Sequence, residues 1–183
     1  MIISQKPEEL REALALQAKC ELKRVVLRQC HASAEEAQEA KGPFSLRVSH
    51  DSVANDIKDG ILRIEVRFQF ESYNAAEPPI MVFEVHCRFA LDYELKNRSF
   101  QPSPESIAAF KDGNAVFNCW SYAREFFQNT ASRMELAPPP LPLLRIIPQA
   151  AKKRTPEEDE GHARTAGQEH ISEPGHPDVP TTN

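Results

Sequence analysis

From Ile80 to Leu95 the chain alternates with a period of two. Met81, Phe83, Val85, Cys87, Phe89, Leu91, Tyr93 and Leu95 are apolar, and Glu84, His86, Arg88, Asp92 and Glu94 fall between them. Alternation this long puts the apolar side chains on one face of a strand, half in a core and half in water, as in antiparallel sheets. Leu62, Ile64, Val66, Phe68 and Phe70 repeat the pattern against Arg63, Glu65, Arg67, Gln69 and Glu71. Asn74 to Pro79 joins the two as a hairpin loop. Phe44, Leu46 and Val48 predict a shorter strand entered from Gly42-Pro43, with Asp59-Gly60 turning into the next. A first strand, about Cys20 to His31, is irregular: its apolar phase moves from Cys20 and Leu22 to Val25 and Leu27 around Arg24. Either a bulge lies there, or another chain covers the strand's second face.

Helical signals flank these strands. Pro7 to Ala18, with Leu10 and Leu14 four apart, predicts a short amphipathic helix. Ser103-Pro104-Glu105 starts another, with Ser as cap, Pro at the first position and an acid in the first turn. Gly113 is expected to break it, and a longer helix to run from about Asn114 to Met134. Along it Val116, Phe117, Cys119, Trp120, Ala123, Phe126, Phe127, Ala131 and Met134 span an arc of roughly 180°, where one sheet needs little more than 100°. Two readings follow: a helix sandwiched between its own sheet and a second subunit, or one well buried in its own core. Five prolines among Leu136 to Pro148 then favour an extended chain pinned by its leucines.

The fold class is therefore α+β, a four-stranded antiparallel sheet with helices packed on one face. Residues 1–18 form an N-terminal helical extension and 19–148 the domain. Residues 149–183, with four basic and seven acidic side chains and only Ile171 and Val179 as large aliphatics, form an acidic tail expected to be disordered. Histidines 162, 170 and 176 in that tail are too irregularly spaced to predict a metal site.

Several functions are disfavoured by composition and motif. Net charge is −5 among 183 residues, which gives no electrostatic reason to bind nucleic acid. No apolar run approaches the ~20 residues of a membrane span, and the start does not read as secretory, so a cytoplasmic protein is expected. The domain's three glycines, at 42, 60 and 113, cannot build a phosphate loop, and no cofactor is implied. Cysteines 20, 30, 87 and 119 include no C-x-x-C pair, so a zinc or redox site would need long-range assembly, and no metal ligands are assigned. No catalytic set of acid, base and nucleophile emerges, and the chain is not read as an enzyme.

The helix carries a specific motif. Tyr122-Ala123-Arg124-Glu125, then Ser132-Arg133, then Leu136-Ala137-Pro138 resembles, in spacing and identity, the long helix of the SecB protein-export chaperones. The resemblance spans about Cys20 to Leu144, and its specific part is Asn114 to Pro138. It implies the sheet-and-helix fold above, assembled as a homotetrameric dimer of dimers. It also implies an ATP-independent holdase that binds unfolded polypeptides and, in exporting members, hands them to the motor SecA. Glu84 matches the glutamate by which exporting members dock the motor, whereas Arg24 and Arg28 stand where acids are expected. A reversed charge repels a basic partner. SecB-like chaperones of a labile antitoxin in a toxin–antitoxin system are thus the alternative, and a non-catalytic scaffold binding one folded partner is a third reading.

A holdase needs adaptable apolar surface, which aromatics and Met supply. The expected client-binding residues are Phe117, Trp120, Phe127, Met134, Leu136, Leu141, Leu143 and Leu144, each contact worth ~1–2 kcal/mol at about 25 cal/mol per Å². Several engaged by one client multiply through effective concentration.

Overall fold

The computed structural model describes residues 1–34, 44–136 and 140–149. The expected acidic tail, Gly42-Pro43 and part of the Leu/Pro run lie outside them. Met1 to Gln149 form one compact unit.

The elements are β1 (Ile2–Gln5), α1 (Pro7–Lys19), β2 (Cys20–Ala34), β3 (Ser45–Ala54), β4 (Ile61–Tyr73), β5 (Met81–Leu95), α2 (Pro104–Phe110), a single π turn (Lys111–Ala115), α3 (Val116–Arg133) and β6 (Arg145–Pro148). The main sheet is antiparallel in the order β2-β5-β4-β3. The two longest alternating segments are its central strands, because only there does an apolar row meet neighbours on both sides. Register brings Leu62, Val66, Phe68 and Phe70 of β4 opposite Tyr93, Phe89, Cys87 and Val85 of β5, one continuous apolar floor. Helix α3 lies on that floor. Phe70 meets Phe127 at 4.7 Å between ring centroids, Phe68 meets Trp120 at 5.6 Å, and Phe83 meets Phe127 at 5.6 Å.

The irregular first strand is explained by bulges. The β2–β5 register slips between Leu22 and Arg24 and again between Leu27 and Gln29. Each slip absorbs one residue, so Leu22, Val25, Leu27 and Cys30 all stay on the helix-bearing face, opposite Tyr93, Leu91, Phe89 and Cys87. Asp59 and Gly60 both have positive φ, 53° and 76°, and Lys58 and Ile61 exchange both backbone hydrogen bonds around them. This is the tight turn their sequence calls for.

Around the second helix the structure departs from expectation. Ser103 caps α2 by accepting from the Ser106 amide at 3.1 Å, as read. Gly113 does not break the helix: α2 runs through the π turn directly into α3. Its glycine answers to a close approach instead. A Cβ there would lie 2.6 Å from the amide of Gln5, which is buried and donates from Nε2 to the Ala109 carbonyl at 2.8 Å.

Two elements escaped the sequence reading. Ile2–Gln5 pairs in parallel with Arg145–Pro148, closing the chain's described ends into a two-stranded ribbon. Between them α1 buries Ala13 and Leu16, while Leu14 of the expected stripe faces solvent. Among the described residues no helix is long and apolar enough to cross a membrane.

Candidate polypeptide-binding surface

The eight expected client-binding residues divide by burial. Trp120, Phe127, Leu141 and Leu144 are each at most 5 % exposed and belong to the protomer's own core. Trp120 and Phe127 are buried against the apolar floor of the sheet, and the ribbon accounts for the two leucines. β6 drags the Leu/Pro segment onto the domain, and Trp120 Nε1 donates to the Pro142 carbonyl at 3.1 Å, fastening it to α3. Leu141 and Leu144 turn inward, and Leu143 between them is 69 % exposed. Phe117 is 49 % exposed, and Met134 and Leu136 are half-buried. A client can reach only these four without unfolding the core.

Helical geometry orders α3 around its axis. At 100° per residue, Val116, Cys119, Trp120, Ala123, Phe127 and Ala131 face the sheet, Phe117 stands on one flank, and Tyr122 and Phe126 stand on the other. The Phe126 flank packs on β5 next to the edge strand β2. The Phe126 ring sits edge-on to Phe89 at 6.5 Å, and Phe89 lies directly opposite Leu27. Val25 and Leu27 of the edge strand, Phe89 beside them and Phe126 over Phe89 thus form an apolar shelf, with Tyr122 on the same helix flank; Leu27 and Tyr122 are exposed, and Val25 and Phe126 half-buried. A second opening is a small crevice lined by Phe44, Ser72, Val82, Phe83 and Leu136, with the exposed Met81 at the start of the same strand. Leu136 is therefore in an apolar opening. The shelf was missed because Val25 and Leu27 belong to the strand whose phase is broken by bulges. Period alone could not assign their face.

The opposite face of the sheet is ionic. Asp92 is buried between two arginines: Arg63 Nε donates to Oδ1 at 2.6 Å, and Arg24 Nε to Oδ2 at 2.9 Å. Chiefly the Arg63 hydrogen bond, aided by Arg24, holds the Asp92 carboxyl below its ordinary range. Arg24, standing where the resemblance implies an acid, is thus committed within the sheet. Glu84 accepts from Ser33 Oγ at 2.9 Å and lies 3.2 Å from His86 Nε2 and 3.5 Å from His31 Nε2. The Ser33 bond, ahead of the two imidazoles, lowers its pKa. An open groove of about 700 Å³ adjoins it, lined among others by the exposed Gln29, His31, Asp51 and Arg67 and the half-buried Gln69 and Arg88. Among the described residues no group of three or more His, Cys, Asp or Glu is placed to hold a metal ion.

No family model and no curated protein matches the sequence. Among solved structures, the chain is similar to the Rv1957 SecB-like chaperone of Mycobacterium tuberculosis in complex with a ChAD peptide from the Rv1956 HigA1 antitoxin. The two share 17 % identity at a TM-score of 0.66, over 75 % of this chain and 98 % of that one. A protein of unknown function from Streptococcus agalactiae superposes at a TM-score of only 0.38, with 10 % identity over 68 % of this chain and 98 % of its own. The fold of this chain, a four-stranded antiparallel sheet bearing α3 on one face, is that of the SecB-like chaperones.

Proposed function

We propose that the protein is an ATP-independent, cytoplasmic SecB-like holdase that binds short apolar segments of non-native polypeptides, and that its principal client is the labile antitoxin of a toxin–antitoxin pair. The observation that carries the reading is the shelf of Val25, Leu27, Phe89, Tyr122 and Phe126. It is apolar and partly open, in a chain with the fold of a chaperone that binds an antitoxin peptide. Apolar shelves without directional polar groups accept many sequences. A folded client offers no matching stretch, so selection for non-native chains needs no catalytic step.

The same reading carries a homotetramer built from dimers. Phe117, on the flank away from the shelf, offers apolar surface to a second copy. Delivery to an export motor is disfavoured, because Arg24 is held against Asp92 and Arg28 adds further positive charge to the strand where the motor's contact acids are expected.

The test is suppression of light scattering by several unrelated, chemically denatured proteins in the absence of nucleotide. Suppression of all of them is expected. Suppression of none, with tight binding to one folded partner, identifies a scaffold and overturns the holdase.

A further inference from the structure

The fold supplies the long-range assembly of cysteines that sequence spacing lacked. Cys30 of β2 lies directly opposite Cys87 of β5 in the antiparallel ladder. Residues so placed have Cα atoms about 4.5 or 5.5 Å apart and side chains on one face. Both separations fall within the range of about 4.4–6.8 Å over which a disulfide can close. The two thiols are free, Cys30 exposed and Cys87 buried. Cys30 lies close enough to Cys87 to act on it electrostatically, after burial, as Cys87 does on Cys119 of α3.

We propose that Cys30 and Cys87 are an oxidant-addressed pair that closes into a cross-strand disulfide, with Cys30 the thiol a peroxide meets first. Strand β2 is an edge strand, and its register slips between Leu27 and Gln29, just before Cys30. The strand can therefore shift without displacing a further neighbour. The Cys30 thiolate attacks one peroxide oxygen; an S–O bond forms, the O–O bond breaks, and the departing hydroxide takes up the proton lost by the thiol as water. Sulfur of Cys87 then attacks sulfur of the resulting sulfenic acid. The S–S bond forms, the S–O bond breaks, and the Cys87 proton leaves with the hydroxide as a second water, so one peroxide accepts the two electrons given up by the two thiols. Burial pushes the Cys87 thiol up to about 12, which makes this second step the slow one. Closure should accelerate about tenfold per pH unit around neutrality as its thiolate fraction grows.

The full chain is treated with hydrogen peroxide over a pH series, alkylated, digested without reduction and mapped by mass spectrometry. A peptide linking Cys30 to Cys87 within one chain is expected, with Cys20 and Cys119 still alkylatable after unfolding and the pH acceleration above. Cys30→Ser should abolish the link, and Cys87→Ala should leave a dimedone-reactive sulfenic acid at Cys30. If Cys87→Ala fails to fold, the unmutated chain's peptide map still decides. Sulfinic acid at Cys30 with Cys87 fully alkylated, a disulfide between Cys30 residues of two chains, or pairing of Cys87 with Cys119 would overturn the proposal.

Discussion

Gly113 shows how a single missing atom shapes the helical layer. Composition marks it as a helix breaker, yet its role is to leave room for Gln5, whose side chain fills the space a Cβ would take and ties β1 to Ala109. In Gly113→Ala the Gln5 amide must move away and surrender a buried hydrogen bond. A loss of about 1–3 kcal/mol is expected in denaturant unfolding, and it should be smaller in the Gln5→Ala background, where nothing remains to collide. Asp92 makes the opposite kind of contribution, through charge. Its folded pKa lies below its unfolded value, chiefly because Arg63 donates to it. The stability it adds is therefore complete above the unfolded pKa of about 3.9 and is lost as pH falls through the folded value. Unfolding midpoints measured from pH 7 downward should drop in the acid range more steeply for the native chain than for Asp92→Asn. Parallel curves would show that the Arg24–Asp92–Arg63 cluster is energetically idle.

The strands β4 and β5 were legible because both are central: each apolar row meets neighbours on its two sides, so period and burial coincide. On β2 they do not, since each bulge consumes a residue and inverts the phase, and the shelf residues Val25 and Leu27 were hidden by that inversion. The β1–β6 ribbon was not legible at all. Four-residue strands carry no usable period, and their partners lie at opposite ends of the described chain. That ribbon decides the fate of the Leu/Pro segment, for which the prolines alone predict only an extended chain and the leucines were expected to meet a client. The leucines should now separate in experiment. Leu141→Ser and Leu144→Ser each place a hydroxyl in a core site and should cost several kcal/mol, in the range of about 2–5 for large-to-small core changes. Leu143→Ser, at a position 69 % exposed, should leave the thermal midpoint nearly unchanged. Equal effects at all three positions would mean the segment does not pack as described.

On the scale of the whole molecule, one sheet carries two unlike surfaces. The outer face is cross-linked by ion pairs and spends its charges internally. The helix-bearing face is dry beneath α3 and apolar to its rim, where the shelf opens beside the edge strand. An arc of apolar residues on α3 wider than one sheet can cover follows from this arrangement, with Phe117 left on one flank and Tyr122 on the other. Light scattering at micromolar concentration should find a tetramer, and Phe117→Asp should lower the assembly state without unfolding the protomer. The most direct test of the account is the affinity of a fluorescently labelled, unstructured apolar peptide for the native chain and for Leu27→Asp, followed by anisotropy, with circular dichroism confirming that both are folded. Saturable binding is expected, weakened about five- to thirtyfold in Leu27→Asp, as follows from losing ~1–2 kcal/mol of apolar contact. Equal affinity in two equally folded proteins would contradict it and remove the shelf from client binding.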